Sequence, residues 1–297
     1  MFVAYRTRPV NQTTKLVTVG SQQGLASHVS HHQMTSNHAF VIPVYGQPPY
    51  LSACIESIRR QSCNSSLIVI STSTPSVAVE DISRKYKIPL VINPSRSDIA
   101  TDWNFALTSC DAELVTIAHQ DDLYDELYVE TMSDAIRRHP DTLIAFSDFR
   151  EHAPQGQRRV NINVRIKRML CARAFGRREA LGLPREKLRL LALGNPVCCP
   201  SVVINRKRLP DFRFSERFKT NLDWEAWARM AQLPGEFVYV RKALVSKCVH
   251  PLSETSVTIA NRIREKEDRY MFEQFWPKPI AAAIFSLYKL GYIANRM

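Results

Sequence analysis

The sequence predicts an α/β fold in which a mainly parallel sheet is flanked by helices, with further helices near the C-terminal end. Three observations indicate this. The first half alternates short apolar runs with helical-period segments of about 10 to 15 residues. The apolar runs are unbroken, as in strands that are covered on both faces. Hydrophobic residues form 45% of the 297 residues and charged residues 23%, which suits a globular chain with a sizeable core.

The elements of the first half follow from these runs and from the turn residues between them. The first run ends at Gly46 and two prolines, and the third ends at Asn93-Pro94, as expected for strands followed by turns. Leu51, Ile55 and Ile58 recur at helical spacing between the first two runs. The predicted strands are 39–45, 67–70, 90–92, 113–118 and 143–146, and the predicted helices are 51–60, 79–86, 98–109 and 127–138.

The second half is less regular. Residues 150–175 are basic and weakly patterned, and Gly194-Asn195-Pro196 marks a turn before the next strand. The predicted strands are 201–204, 237–240 and 244–249, and the predicted helices are 223–231, 260–275 and 278–293. Residues 1–37 are polar and predict a poorly ordered extension. Met34 lies just before the first strand, so a translation start there is an alternative origin for this extension.

The basic charge is local. The chain has a net charge of +12, and residues 150–219 hold 18 Lys and Arg against 5 Asp and Glu, so the rest is nearly neutral. This block suits nucleic acid, an anionic membrane surface or an anionic substrate, and the plain alternative is a solvated basic face. Nucleic acid is disfavoured because the block has few aromatic residues for stacking.

Two further features bear on the compartment. The seven Cys are scattered without a C-x-x-C pair, which indicates free thiols in a reducing, cytoplasmic setting. No apolar run of about 18 residues is present, so no transmembrane helix is expected.

A carboxylate pair marks the candidate site. Asp121 and Asp122 follow the apolar run 115–118, at the strand end where ligands of parallel sheets bind. Adjacent carboxylates supply the hard oxygen ligands that suit Mg²⁺ or Mn²⁺. The alternative is that the pair caps a helix start.

Five segments together resemble family 2 glycosyltransferases, and their order and spacing carry the resemblance. Residues 40–45 and the helix after them resemble the family's first nucleotide-binding segment. Residues 102–107 (DWNFAL) resemble its N-x-A helix, and residues 117–122 (IAHQDD) occupy the place of its D-x-D motif. Residues 222–227 (LDWEAW) resemble the later acidic motif, and residues 249–251 (VHP) resemble a C-terminal metal-binding His.

The resemblance covers residues 38–258 and implies a GT-A fold there, with a nucleotide-sugar-binding half (38–150), an acceptor half (151–258) and C-terminal helices (259–297). It implies transfer of a sugar, with inversion, from a nucleotide-sugar donor to a saccharide or lipid-linked acceptor, in cell-surface polysaccharide or lipopolysaccharide synthesis. A cytoplasmic enzyme, with peripheral contact to the inner face of the membrane, fits that role. The alternatives are an inactive GT-A-like binding protein and a basic nucleic-acid-binding module.

The same resemblance assigns site residues. Asp223 is the implied general base, with Glu225 as its rival. The implied metal, Mn²⁺ or Mg²⁺, is held by Asp121, Asp122 and His250. The implied donor-nucleotide contacts are Pro43, Val44, Tyr45, Ser71, Thr72, Asn104 and Asp121.

Two positions depart from the family pattern. The second strand runs into Ser71-Thr72-Ser73-Thr74, without the carboxylate that usually recognises the nucleotide base, so the base stays open. His119 stands where a strict D-x-D motif has its first Asp. At the other end of the chain, the segment 280–292 suits either an amphipathic helix on a membrane or a helix that packs back on the domain.

Overall fold

The structure is a computed structural model that describes residues 37–63, 66–95, 98–152, 162–248 and 263–289. The predicted extension therefore lies outside the described residues except for Asn37, and so does the candidate ligand His250.

The first half alternates strands and helices as predicted. In chain order the elements are β1 (His38–Val44), α1 (Leu51–Arg59), β2 (Leu67–Thr72), α2 (Val77–Tyr86), β3 (Leu90–Ile92), α3 (Ile99–Thr108), β4 (Leu114–Ile117), β5 (Leu123–Tyr124), α4 (Tyr128–Arg138) and β6 (Thr142–His152). The short strand β5 was not predicted, and β6 extends six residues beyond the predicted end of its strand. Ser76 and Asp98 cap α2 and α3 by accepting hydrogen bonds from Val79 N–H and Ala100 N–H.

The second half holds α5 (Ile162–Phe175), β7 (Ala180–Leu181), α6 (Pro184–Leu191), a 3₁₀ turn (Cys199–Ser201), β8 (Val202–Asn205), α7 (Leu222–Met230), β9 (Glu236–Cys248), α8 (Ile263–Phe275) and α9 (Lys278–Tyr288). The second half differs from the predicted elements at α5 and at β9. Residues 162–175, which the sequence shows as weakly patterned, form the helix α5. Their apolar side chains lie on two faces, so no single helical stripe is visible in the sequence. The two strands predicted at 237–240 and 244–249 are one strand, β9 (Glu236–Cys248), because β6 pairs with it on both sides of the polar interruption Arg241-Lys242.

One sheet carries the nine strands of the described residues, in the order β3-β2-β1-β4-β8-β6-β9-β5, with β7 also paired to β9. The pairs β3–β2, β2–β1 and β1–β4 are parallel, as is β6–β9. Strand β8 runs antiparallel to both β4 and β6. The expected mainly parallel α/β sheet is therefore confirmed, and β8 links its two parallel blocks.

Helices cover both faces of the sheet. Along β1, Ala39 and Val41 belong to one apolar cluster, while Phe40, Ile42 and Val44 belong to the other. Successive strand residues point to opposite faces, so this alternation places a core on each side. The unbroken apolar run of β1 is the consequence of that double burial.

The predicted C-terminal helices are present and pack on the domain. Phe272 and Phe275 of α8 contact the buried ring of Trp224 on α7, and Phe285 of α9 contacts Phe272. The second of the two interpretations of this segment, a helix that packs back on the domain, therefore describes α9. Within the described ranges, none of the helices has the length and apolarity to cross a bilayer.

Candidate functional site

A cavity of about 730 Å³ lies beyond the carboxyl ends of β1 and β4. The loops after these two strands form one wall, and the second half of the chain forms the opposite wall. Ligands of open parallel sheets bind at this edge, because strand ends and helix starts converge there. The cavity is therefore the place where the predicted site residues should meet.

The acidic end of β4 forms a candidate metal centre. One ligand atom each from His119, Asp121 and Asp122 lie within 4.8 Å of one another. Asp122 is 1% exposed, and the Cys248 N–H donates to its Oδ1 at 2.9 Å. In the part of the chain that the structure describes, Asp122 Oδ2 and His119 Nε2 have no hydrogen-bond partner. A buried carboxylate oxygen without a partner is costly, so the geometry leaves room for a cation.

The electrostatics of these groups fit a divalent ion. Burial, with the adjacent Asp121 charge, raises the pKa of Asp122 well above its usual range. Burial lowers the pKa of His119 to about 4, so its imidazole is neutral near pH 7 and keeps a lone pair for a ligand. Two carboxylates with one imidazole nitrogen suit Mn²⁺ better than Mg²⁺. These residues thus fit the metal that the sequence implies.

Hydrogen bonds connect the loops around this centre. The Tyr45 N–H donates to Gln120 Oε1 at 3.4 Å, and Gln120 Nε2 donates to the Tyr45 carbonyl at 3.3 Å. The Gly46 N–H donates to Thr74 Oγ1 at 2.9 Å, which ties the loop after β1 to the loop after β2. Gly46 has φ +63°, a conformation that glycine adopts without strain.

A carboxylate also stands at the corner where β2 and β3 end. Asp102, on the first turn of α3, lines the cavity. Its Oδ2 accepts a hydrogen bond from Ser73 Oγ at 2.8 Å, and its Oδ1 accepts one from Asn93 Nδ2 at 2.9 Å. The family's usual carboxylate at the end of β2 is absent here, and Asp102 of α3 places a carboxylate at the same corner instead.

Asp223 faces the cavity from the start of α7. Asn195 Nδ2 donates to its Oδ2 at 2.9 Å, and the Trp224 N–H donates to its Oδ1 at 2.7 Å. Burial raises the pKa of Asp223, although the positive charge of Lys167 opposes the shift. The N-cap position of α7 belongs to Asn221, so Asp223 is not the cap.

Glu225 has a different environment from Asp223. It is absent from the residues that line the cavity, and both of its carboxylate oxygens lie 3.2 Å from guanidinium nitrogens of Arg229. A helix turns by about 200° over two residues, so the two acids point to different sides of α7.

The loop that leads into α7 is held by α8. Glu267 Oε2 accepts hydrogen bonds from Thr220 N–H, Thr220 Oγ1 and Asn221 N–H at 2.8 to 2.9 Å. Asn221 Nδ2 donates to the buried Asp268 Oδ1 at 2.6 Å. Two acids of α8 therefore fix the backbone that positions Asp223.

Cations surround the acidic groups. Lys167, Lys219, Lys247 and Arg264 all line the cavity. Lys219 forms an ion pair with Asp98 that joins the two walls. Arg264 Nε lies 3.7 Å from Asp268 Oδ2. The basic block of the sequence thus sends Lys167 and Lys219 into the site, while Lys247 and Arg264 come from outside that block.

The predicted donor contacts divide into two groups. Pro43, Val44, Tyr45 and Asp121 line the cavity. Ser71, Thr72 and Asn104 are not among its lining residues. Thr72 Oγ1 donates to the Val44 carbonyl at 2.7 Å, so it braces the loop after β1. Asn104 exchanges hydrogen bonds with the Phe214 backbone, at 2.9 and 2.7 Å, which anchors the loop before α7.

The sequence did not predict that Asp102 and the four cations would line the cavity. Asp102 is the first residue of the motif DWNFAL. Its position in the first turn of the helix after β3 is the signal that could have identified it. Lys167 and Lys247 carried no local signal, since neither lies in a motif. Their place in the site depends on the packing of α5 and β9.

Comparison with models of protein families shows which family the chain belongs to. The model of glycosyl transferase family 2 matches residues 39–210, more than half of the chain. The chain belongs to glycosyltransferase family 2. The metal centre, Asp102 and the start of the second half all lie within the matched residues of this family 2 chain.

Solved glycosyltransferases share the fold at low sequence identity. Mannosyltransferase PcManGT from Pyrobaculum calidifontis, in complex with GDP-Man and Mn²⁺, aligns with TM-score 0.60 and 15% identity, over 88% of this chain and 72% of that one. S. aureus TarS 1–349 with UDP-GlcNAc aligns with TM-score 0.58 and 12% identity, over 87% and 73%. Glucosyl-3-phosphoglycerate synthase from Mycobacterium tuberculosis, with Mn²⁺ and UDP-Glc, aligns with TM-score 0.51 and 12% identity, over 80% and 79%.

These likenesses establish the GT-A fold that the sequence implied. No curated protein matches the sequence of this chain.

Proposed function

We propose that this family 2 chain is a metal-dependent, inverting glycosyltransferase that uses a nucleotide-sugar donor. The observation that carries the proposal is the meeting of two acidic groups in one cavity: the His119–Asp121–Asp122 centre and Asp223. Transfer needs one group to neutralise the leaving diphosphate and another to take the proton of the acceptor hydroxyl. The acidic centre at the end of β4 would neutralise the diphosphate, and Asp223 would take the proton.

The metal centre would serve the leaving group. Asp121 and Asp122, with His250 as a further candidate from outside the described residues, would hold Mn²⁺ or Mg²⁺. When bound, the ion supplies Lewis-acid stabilisation of the diphosphate charge. The Cys248 N–H, bound to Asp122 Oδ1, orients that carboxylate within the centre.

Asp223 is the proposed general base. As the acceptor oxygen bonds to the anomeric carbon, the bond from that carbon to the diphosphate oxygen breaks, and the hydroxyl proton passes to the Asp223 carboxylate. A single displacement inverts the anomeric configuration. Burial raises the pKa of Asp223, which makes the carboxylate a stronger base than a solvated one. Asn195 and the Trp224 N–H hold its oxygens in place.

The nucleotide base would lie at the corner of Ser73, Asn93 and Asp102. A carboxylate accepts hydrogen bonds only, so Asp102 favours a base edge that donates an N–H. The imide of uracil or thymine and the N1–H and N2–H₂ edge of guanine have this property. Donors with UDP, dTDP or GDP are therefore preferred, and the neighbours with UDP-GlcNAc and GDP-Man support this class.

We further infer a saccharide or lipid-linked acceptor, in cell-surface polysaccharide or lipopolysaccharide synthesis. The cations that line the acceptor side of the cavity, Lys167 and Arg264, support an acceptor that carries negative charge.

Release of nucleoside diphosphate from a panel of UDP-, GDP- and dTDP-sugars, with and without Mn²⁺, tests the proposal. We expect Mn²⁺-dependent turnover of at least one donor. Donor binding without turnover, with every acceptor class supplied, would favour the inactive binding protein. Absence of any nucleotide binding would contradict the assignment of the cavity.

A further inference from the structure

Helix α5 has apolar residues on two opposite faces. Val164, Cys171 and Phe175 are buried against the domain. On the other side, Ile162, Ile166 and Met169 are 56%, 43% and 61% exposed. Their spacing of four and then three residues aligns these three side chains in one stripe along the helix. The outer stripe is not needed to hold α5 on the sheet, because the inner face already does so.

Arginines flank this stripe without acidic neighbours on the helix. Residues 162–175 contain no Asp or Glu. Arg165 and Arg173 are exposed on the outer side, and neither forms an ion pair with any residue in the described ranges. Arg168, in contrast, pairs with Asp148 at 2.6 Å and is not available. The outer face of α5 therefore combines an aliphatic stripe with unneutralised positive charge.

We propose that the outer face of α5 docks on the surface of an anionic lipid bilayer. Aliphatic side chains of an interfacial helix enter the boundary between headgroups and acyl chains, and flanking arginines meet the headgroup phosphates. Nucleic acid would use the arginines but has no use for an exposed stripe of Ile and Met. Aromatic rings suited to base stacking are absent from the outer face of this described helix, since Phe175 is buried.

The placement of α5 links this surface to the site. Lys167, between Ile166 and Arg168 in sequence, lines the cavity. Helix α5 therefore contributes to both the cavity and the docking face, and docking would bring this side of the site close to a lipid-linked acceptor. This consequence rests on the proposed function, whereas the docking itself does not.

Helix α9 is the weaker candidate for membrane contact. Its Leu287 is 71% exposed, but Ala281 and Phe285 pack on the domain, and Lys289 pairs with Glu265 at 2.9 Å. It presents two large exposed aliphatic side chains, Leu287 and Ile280 (47% exposed), and its Lys289 is neutralised, whereas α5 presents three such side chains beside two available arginines.

Flotation of the full chain with lipid vesicles tests the proposal. We expect binding to phosphatidylcholine vesicles that contain about one third phosphatidylglycerol, at least about tenfold stronger than binding to pure phosphatidylcholine, because each basic residue near an anionic surface contributes roughly fivefold. The double variant Ile166→Ser/Met169→Ser should bind at least about tenfold more weakly. Arg165→Gln/Arg173→Gln should remove most of the preference for anionic lipid.

Leu287→Ser is the matched control on α9 and should bind vesicles like the parent chain. Nucleotide binding in solution should be the same in all these variants, which separates a failure of docking from a failure of the proposed function. Equal binding to both vesicle types, or unchanged binding of the α5 variants, would overturn the proposal. So would a dimer in solution that Ile166→Ser/Met169→Ser dissociates, since a second copy would then cover the face.

Discussion

Two acids only two residues apart on α7 have different surroundings. Asp223 faces the cavity and accepts hydrogen bonds from Asn195 and the Trp224 N–H. Glu225 is held by Arg229 one helical turn later. Glu225 does not line the cavity and its carboxylate is held by Arg229, so it is not placed to reach an acceptor bound there. This difference is the reason for assigning the base to Asp223.

Replacement of Asp223 by Asn should separate binding from chemistry. The variant keeps the size of the side chain but cannot take a proton, so we expect kcat to fall by at least about 10²-fold. Donor affinity, measured by calorimetry, should stay within a few-fold of the parent value, because the base acts on the acceptor. Glu225→Gln is the matched control and should lose far less activity. If Glu225→Gln is inactive and Asp223→Asn has normal activity, the general base is Glu225 instead.

His38 makes the fold sensitive to acid. It lies at the start of β1, with Nδ1 2.9 Å from Ser66 Oγ and Nε2 3.0 Å from Thr116 Oγ1. Burial lowers its pKa to about 3 in the folded state, below the unfolded value of 6.5. The neutral imidazole is therefore favoured by folding, and its contribution is complete above pH 6.5 and is lost as the pH falls toward 3.

The expected size of this effect is measurable. Between neutral pH and about pH 4.5, proton uptake by His38 on unfolding should lower the free energy of unfolding by about 2 to 3 kcal/mol. Denaturant unfolding of the parent chain and of His38→Gln across this range checks the prediction, since the variant lacks the titrating group. The same dependence on pH in both proteins would show that other groups cause it.

At the scale of elements, α8 acts as a clamp on the start of α7. Glu267 accepts three hydrogen bonds from Thr220 and Asn221. We expect Glu267→Gln to lower the free energy of unfolding by about 1 to 2 kcal/mol, in the range of a lost helix cap. It should also lower kcat, because the clamped loop positions Asp223.

Glu265→Gln is the control on the same helix. Its partner Lys289 is 42% exposed, and a surface ion pair of this kind contributes at most about 1 kcal/mol. Chemical denaturation of both variants provides the comparison. Equal losses of stability in the two variants would remove the special role of Glu267.

The strands of the first half could be predicted because both of their faces are buried. β1 and β4 are unbroken apolar runs whose ends are marked by turn residues. β9 could not be predicted as one strand, because its central residues are exposed and polar while its hydrogen bonds come from the distant β6. α5 was missed because apolar residues on two faces hide the helical period.

The site residues also divide into those that the sequence can predict and those whose positions depend on tertiary contacts. The meeting of Asp121, Asp122 and Asp223 at one cavity could be expected, because they follow a strand or begin a helix within recognisable motifs. The contact of Asp102 with the ends of β2 and β3 could not be predicted, because its orientation depends on Ser73 and Asn93 from two other loops. The inward turn of Thr72, toward the Val44 carbonyl, is likewise a tertiary effect.

At the scale of the whole molecule, the polar segment before β1 should be dispensable. The pairing of the sheet begins with Asn37, whose carbonyl accepts the Leu114 N–H at 2.9 Å. A chain that begins at Met34 keeps this contact. We expect it to match the full chain in melting temperature and in donor turnover. An insoluble or inactive shortened chain would show that the first 33 residues belong to the working enzyme.

The central claim is that one cavity binds a nucleotide through a divalent ion held by the acidic end of β4. Calorimetric titration of UDP and GDP into the protein, with Mn²⁺ or with a chelator, tests it most directly. We expect binding of at least one nucleotide that requires Mn²⁺, is lost in Asp121→Ala, and is kept in Glu225→Gln, with both variants folded by circular dichroism. Unchanged Mn²⁺ and nucleotide affinity in Asp121→Ala would show that the acidic end of β4 does not hold the ion.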